Sequence, residues 1–171
     1  MTEKQVLILC DQIQTGKTSA INESLPFLKP CMGFICPDID GSRKMVDVQS
    51  MKIHDFQIKK PIYSGDVQIG KFTFLGAAFK MAQNILSSIP SNFTGFVIID
   101  EVGKLELKGS GLEPVLSNFL KVSADKPYKI VLVVRDYLLD EVIAKYELKN
   151  IKILNPLNFK KHIQSNYITS E

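Results

Sequence analysis

One short segment predicts the architecture of the chain: Asp11-Gln12-Ile13-Gln14-Thr15-Gly16-Lys17-Thr18-Ser19. It fits the phosphate-loop pattern GxxxxGK[ST], except that Asp11 replaces the first glycine. An apolar run precedes the segment and helix-compatible residues follow it, so the loop joins a buried strand to a helix, as the motif requires. We therefore predict that residues 11–19 bind the phosphates of a nucleotide.

Individual residues of this loop have predicted roles. Gly16 lets the backbone curl so that its amides point at phosphate oxygens. Lys17 would reach the β and γ phosphates, and the Thr18 hydroxyl would ligate a magnesium ion that bridges them. Asp11 lacks the conformational freedom of glycine and brings a carboxylate near the phosphates. We expect it to weaken nucleotide affinity unless its side chain caps the loop or faces away.

Buried strands and amphipathic helices alternate along the rest of the chain. The predicted strands cover residues 5–10, 95–100, 130–134 and 151–154. The predicted helices cover residues 18–25, 75–89, 112–120 and 138–146, and a last helix starts near Pro156. Residues 32–36, 44–48 and 52–58 predict an extended region with one hairpin. We predict a single α/β domain over residues 1–171, with a mostly parallel central sheet, helices on both faces and a small hairpin insertion.

Composition and charge exclude several classes of partner. The net charge of +3 is far below what a dedicated nucleic-acid binder uses, so nucleic acid is an unlikely partner. The longest apolar stretches are about five residues, whereas a membrane span needs roughly twenty. Three cysteines are an odd number and favour a reducing cytoplasm over a disulfide framework. We expect a cytoplasmic monomer without membrane contact.

Two acids stand at the end of the apolar strand that ends near residue 100. Asp100 has the placement of a magnesium ligand, and Glu101 has the placement of a group that takes a proton from the attacking water. Acids at strand ends are also common on solvated edges. The phosphate loop favours the catalytic interpretation, so we predict that Thr18 and Asp100 hold Mg²⁺ and that Glu101 is the general base.

The segment around these acids carries a family resemblance. Val97-Ile98-Ile99-Asp100-Glu101-Val102-Gly103-Lys104-Leu105-Glu106-Leu107 resembles the hallmark segment of the small nucleoside-triphosphatases first described from thermophiles. Residues 33–34, 69–72 and 151–155 also line up, so the resemblance covers essentially the whole chain. It implies a three-layer phosphate-loop NTPase fold of the additional-strand, catalytic-glutamate division. It also implies slow hydrolysis of ATP, GTP and other nucleoside triphosphates to diphosphates, with weak base discrimination.

The chain departs from the family pattern at two places. One is Asp11, and the other is residues 36–42, where the family usually shows a glutamate and a cluster of arginines. Arg43 and Lys44 remain as basic residues nearby, and we expect both to be solvated on a hairpin.

Arg135 follows the predicted strand at residues 130–134. The fold implied by the resemblance places that strand between the phosphate-loop strand and the Asp100 strand. Arg135 would then stabilise charge at the γ-phosphate, as an arginine finger does, and it is a candidate catalytic residue together with Lys17 and Glu101. The alternative is a structural ion pair with Asp136 or Asp140.

Other polar residues have predominantly structural interpretations. We expect Lys104 and Glu106 to form an exposed ion pair; the alternative is that Lys104 touches phosphate and Glu106 orients a neighbouring group. We expect Asn155 to cap the last helix; the alternative is that the amides of Asn155 and Asn158 contact a nucleotide base. Residues 160–162 form a small basic cluster that we interpret as a solvated face. The three cysteines are interpreted as core packing.

Two alternative functions share the phosphate loop. A nucleoside or nucleotide kinase uses the same loop and metal but needs a second pocket and an arginine-rich lid that excludes water, and the sequence shows no such lid segment. A nucleotide-binding switch without useful catalysis is the other alternative, and Asp11 is the residue that motivates it.

Overall fold

The computed structural model describes residues 6–167. Its strands are β1 (Val6–Asp11), β2 (Cys31–Ile35), β3 (Asp38–Ile39), β4 (Ser42–Asp47), β5 (Ile53–Asp55), β6 (Gln57–Ile58), β7 (Val67–Ile69), β8 (Phe72–Phe74), β9 (Phe96–Val102), β10 (Lys129–Arg135) and β11 (Ile151–Leu154). Its helices are α1 (Lys17–Ser24), α2 (Gly76–Ser87), α3 (Lys104–Leu107), α4 (Val115–Ser123), α5 (Leu139–Lys145) and α6 (Pro156–Tyr167). Strands and helices alternate as the sequence predicts, except in the continuous run of strands from β2 to β8.

The main sheet has the order β11-β1-β10-β9-β2-β4-β3, and β5 pairs with β4. The five strands from β11 to β2 are parallel to their neighbours, whereas β4 runs antiparallel to β2. The strand that carries Arg135 therefore lies between the phosphate-loop strand and the Asp100 strand, as the resemblance implies. The predicted α/β class and mostly parallel sheet are confirmed.

Both faces of the sheet are buried, which explains why its central strands are uninterrupted apolar runs. Leu7 and Leu9 of β1 pack into one core with α1 and α6. Ile8 points to the other face and belongs to the core under α2 and α4. This alternation follows from the two-residue period of a strand, and it fixes β1 firmly between two layers of helices.

A second, three-stranded antiparallel sheet, β6-β8-β7, was not predicted. The predicted extended stretch at residues 52–58 divides into β5, which joins the main sheet, and β6, which joins the small one. Aromatic contacts attach the small sheet to α2, because the Phe56 ring lies 4.8 Å from that of Phe74 and 5.2 Å from that of Phe79. The predicted hairpin is thus part of a larger insertion.

Several smaller expectations can be compared with the structure. The helix expected at residues 112–120 begins only at Val115, because Pro114 restricts the residue before it to non-helical conformations. Cys36 is buried, while Cys10 and Cys31 are partly buried against the two cores, and burial raises the pKa of all three thiols. Within residues 6–167, no helix is both long and apolar enough to cross a membrane.

Candidate active site

The predicted site residues meet at one edge of the main sheet. The phosphate loop follows β1, Glu101 is near the end of β9, and Arg135 ends β10. These three strands are parallel neighbours, so their carboxyl ends point the same way. Ligands of open α/β sheets bind at this edge, and the structure thus brings the residues of the two sequence motifs together.

The loop that follows β1 is exposed from Gln12 to Gly16. Gly16 has a φ of 84°, a left-handed conformation that favours glycine, and its carbonyl accepts the Ala20 amide of α1 at 2.9 Å. The Asp11 Oδ1 atom accepts the Gln12 backbone amide at 2.7 Å. Asp11 therefore caps the loop, which is one of the two arrangements in which we expected it to be compatible with phosphate binding. Ser19 is exposed on the first turn of α1.

Lys17 lies at the centre of the loop. Its side chain is buried, and its ammonium donates to the backbone carbonyl oxygens of Asp11, at 3.0 Å, and of Gln12. These carbonyls hold the cation inside the loop, among the backbone groups that a phosphate would face.

The two predicted magnesium ligands are in direct contact. Thr18 Oγ1 donates to Asp100 Oδ2 at 2.8 Å, and the Cys36 amide donates to the same oxygen at 3.0 Å. Asp100 is only 1% exposed, and this burial raises its pKa, although the hydrogen bond from Cys36 acts in the opposite direction. Two hard oxygen atoms thus lie side by side at the loop.

The donors Thr18 and Asp100 fit Mg²⁺, which prefers oxygen ligands and is usually held by one or two protein groups together with waters and phosphates. Residues 6–167 contain no cluster of three or more His, Cys, Asp and Glu side chains that could hold a metal without such help. The site is therefore suited to a metal that arrives with a polyphosphate.

Glu101 is held by two arginines. Arg135 Nε lies 2.8 Å from Glu101 Oε1, and Arg43 Nη1 lies 3.9 Å from Glu101 Oε2. The structural alternative for Arg135, a pair with Asp136 or Asp140, is wrong, since its ion-pair partner is the predicted base.

Arg43 was expected to be solvated, and the structure contradicts this. Because β4 runs antiparallel beside β2, its first residues reach the edge of the sheet at which β9 ends, and Arg43 is partly buried there. Lys44, the next residue of β4, is also partly buried and pairs with Asp55 at 2.7 Å. The sequence offered one signal for Arg43, its place next to residues 36–42, the segment where the resembled family has arginines.

Glu106 and Lys104 do not form the expected exposed ion pair. Glu106 is buried, and its carboxylate oxygens accept the amides of Gly103 at 2.9 Å and Leu112 at 3.1 Å. Burial raises the pKa of Glu106 to about 7. The Lys104 ammonium lies 5.4 Å from the centre of the Tyr137 ring. The expectation fails because α3 is a single turn that folds its acid inward.

The remaining polar candidates are structural. Asn155 Oδ1 accepts the Asn158 amide at 2.8 Å, which confirms that Asn155 caps α6. Lys160 of the basic cluster pairs with Glu23 of α1 at 2.9 Å, and His162 Nδ1 lies 3.1 Å from Lys152 Nζ. These contacts connect α6 to its neighbours.

Comparisons with known proteins agree with this fold. A family model described as NTPase matches residues 6–163. The crystal structure of THEP1 from the hyperthermophile Aquifex aeolicus superposes with a TM-score of 0.71 at 17% identity, covering 96% of this chain and 99% of that one. The solution structure of a human cancer-related nucleoside triphosphatase gives 0.66 at 18% identity, with 98% and 100% covered. No curated protein sequence matches the chain significantly.

Proposed function

The chain belongs to this NTPase family, and on that basis we propose that it is a magnesium-dependent nucleoside-triphosphatase. It would hydrolyse ATP, GTP and other nucleoside triphosphates to diphosphate and phosphate, slowly and with weak base specificity. The observation that carries the proposal is the hydrogen bond between Thr18 and Asp100, because it joins the phosphate loop to the acidic strand through the two groups suited to a nucleotide-bound metal.

The phosphate loop would bind the triphosphate by exchanging its own internal bonds. The Lys17 ammonium now donates to the carbonyls of Asp11 and Gln12, and phosphate oxygens are stronger acceptors for a cation than neutral carbonyls. The amides of residues 13–16, in the exposed part of the loop, would face the β-phosphate when the loop closes on it. The positive end of α1 adds to this attraction.

Thr18 and Asp100 would hold magnesium through their oxygens. When bound, the metal supplies positive charge that offsets the charge developing on the phosphates during transfer. The Cys36 amide donates to the same Asp100 oxygen as Thr18, so the carboxylate is already oriented before a ligand arrives.

Glu101 would take the proton from the attacking water. The water oxygen forms a bond to the γ-phosphorus, the bond from that phosphorus to the β–γ bridging oxygen breaks, and the electron pair leaves with the diphosphate. Arg135 orients the carboxylate through its bond to Oε1 and lies at the end of the strand next to β1, where it can also stabilise charge on the γ-phosphate.

Phosphate release tests this proposal directly. We would incubate the protein with ATP, GTP, CTP and UTP, with and without Mg²⁺, beside Lys17→Ala and a control, Lys29→Ala, which removes an exposed lysine outside the site. We expect magnesium-dependent release with all four nucleotides, its loss in Lys17→Ala and its retention in Lys29→Ala. Equal release by wild type and Lys17→Ala would show that the phosphate loop is not the site of hydrolysis.

A further inference from the structure

A cavity of about 180 Å³ opens beside Glu101 on the α2 face of the main sheet. Its interior is apolar and largely aromatic, with walls formed by Phe34, Phe56, Phe74 and Phe79. A dry apolar cavity of roughly 150 Å³ is large enough to hold benzene. The volume therefore suits one six-membered aromatic ring and is too small for a whole nucleotide, and the edge-on packing of the wall rings favours an aromatic occupant.

Charged side chains also line the cavity. Arg43, Arg135 and Lys104 are there together with the carboxylate of Glu101. Two further carboxyl groups, those of Asp100 and Glu106, reach the lining, but both are buried and accept hydrogen bonds from neighbouring groups. Three cations around one accessible carboxylate favour an anionic group on the ligand, at the mouth rather than in the apolar interior.

The position of the cavity differs from that of a nucleotide base. Among the described residues, its lining comes from the strands and loops around β9 and from the small sheet, and includes none of residues 11–19 or 151–158. Glu101 and Arg135 mark the side at which the γ-phosphate would lie. A ligand in the cavity therefore approaches the γ-phosphate from the side on which the attacking water would stand.

The β7–β8 hairpin forms one side of the cavity and could close it. Ile69 and Phe72 of this hairpin line the cavity, yet they remain 37% and 42% exposed. Apolar side chains in that position would bury more surface once a ring fills the space beneath them. Closed over such a ring, the hairpin would exclude water from the site, a feature that the sequence did not reveal.

We propose that this cavity is a second-substrate site for a monocyclic aromatic anion that bears a hydroxyl group, and that this hydroxyl accepts the γ-phosphoryl group of the nucleotide. The hydroxyl oxygen bonds to the γ-phosphorus, the bond to the β–γ bridging oxygen breaks with its electron pair kept by the diphosphate, and the hydroxyl proton passes to Glu101. The transfer step rests on the proposed function, since the same loop presents the nucleotide. Binding of the aromatic anion in the cavity is independent of the proposed function.

Benzoate and 3-hydroxybenzoate are suitable probes, because both place a ring and an anionic group in the cavity and only the second carries an acceptor hydroxyl. Their binding at millimolar concentration would be measured by ligand-observed NMR for wild type, Phe72→Ala and Phe27→Ala. Phe27 is an equally exposed phenylalanine (38%) that does not line the cavity, so it is the matched control. Phosphorylated product would be sought by mass spectrometry with ATP and Mg²⁺.

We expect both probes to bind wild type and Phe27→Ala, and to bind Phe72→Ala about fivefold more weakly because an aromatic ring of the covering hairpin is lost. We expect 3-hydroxybenzoate, and not benzoate, to be phosphorylated. Absence of binding by both probes, or equal binding by Phe72→Ala and Phe27→Ala, would overturn the site. Binding without phosphorylated 3-hydroxybenzoate, in protein that releases phosphate from ATP, would overturn the acceptor role. Failure of phosphate release itself would instead count against the proposed function.

Discussion

The phosphate loop and the acidic segment at residues 100–106 face each other across one sheet edge, but they are held in different ways. Residues 12–16 of the loop are exposed, and the hydrogen bonds there are local, such as those from the Gln12 amide to Asp11 and from Thr15 Oγ1 to the Gln12 carbonyl. The acids of the other segment are fixed by partners on several strands and loops. The loop must change its bonds when a nucleotide binds, whereas the acidic segment is preorganised.

The largest expected effect is on phosphate release, from a substitution in the preorganised acidic segment. Glu101→Gln keeps the shape of the side chain and removes its ability to accept a proton, so phosphate release should fall about a thousandfold while nucleotide affinity stays within about twofold. Single-turnover phosphate release and nucleotide titration measure the two quantities. Glu141→Gln, at an exposed position of α5, is the control and should behave as wild type. Unchanged turnover in Glu101→Gln would assign the base elsewhere.

A second prediction for the acidic segment concerns Glu106 and the free energy of unfolding. Its pKa is raised from 4.5 to about 7 in the folded chain, so the folded state binds more protons than the unfolded state between these values. The free energy of unfolding should therefore fall as pH rises through this range, by about 3 kcal/mol in all. Glu106→Gln removes this component.

Urea unfolding at a series of pH values that spans this range measures the effect of Glu106. The stability of wild type should fall more steeply with pH than that of Glu106→Gln, and Glu141→Gln should follow wild type. Parallel curves for wild type and Glu106→Gln would show that the buried carboxyl does not titrate there.

Arg135 contacts both regions. Its backbone lies opposite Asp11 where β10 and β1 run side by side, and its side chain forms an ion pair with Glu101. Arg135→Ala should lower turnover about a hundredfold, because a misplaced base costs about that much. If Arg135 acts by positioning Glu101, the double variant Arg135→Ala/Glu101→Gln should be no slower than Glu101→Gln. A further loss in the double variant would show that Arg135 acts on the phosphate itself.

The smallest expected effect is a change in KM, from substitution of Asp11 in the phosphate loop. Asp11→Asn retains an oxygen that can accept the Gln12 amide and removes the negative charge, so KM should fall about threefold with kcat nearly unchanged. Asp11→Gly removes both the charge and the oxygen that accepts the Gln12 amide. The difference in KM between Asp11→Gly and Asp11→Asn therefore measures the contribution of that hydrogen bond. A large change in kcat for Asp11→Asn would contradict the division between a binding loop and a catalytic segment.

The same division explains what could be predicted from the sequence. The loop and the strands β1, β9, β10 and β11 are local patterns: a motif between a strand and a helix, and apolar runs buried on both faces. Two such patterns, together with the parallel sheet, led to the prediction that Thr18 and Asp100 hold the same metal, and the structure places the two side chains in contact.

The features that escaped prediction depend on contacts distant in sequence. Arg43 reaches Glu101 only through the antiparallel pairing of β4 with β2, and Glu106 is buried only because α3 turns toward Leu112. Strands β6 to β8 have two or three residues each, too few to show a period. The aromatic cavity lies between these elements, so no single segment of sequence could indicate it.

The hydrogen bond from Thr18 to Asp100 has a consequence for how the chain folds. It joins residues 82 positions apart, and the strand between them in the sheet, β10, follows both in the sequence. A partly folded chain in which β10 has not yet inserted cannot place the two oxygens together. A ligand that requires both oxygens binds only the completed fold, and at a hundredfold excess over its Kd it shifts the folding equilibrium by about 3 kcal/mol. Nucleotide in the cell would therefore stabilise the completely folded chain and would not stabilise partly folded forms.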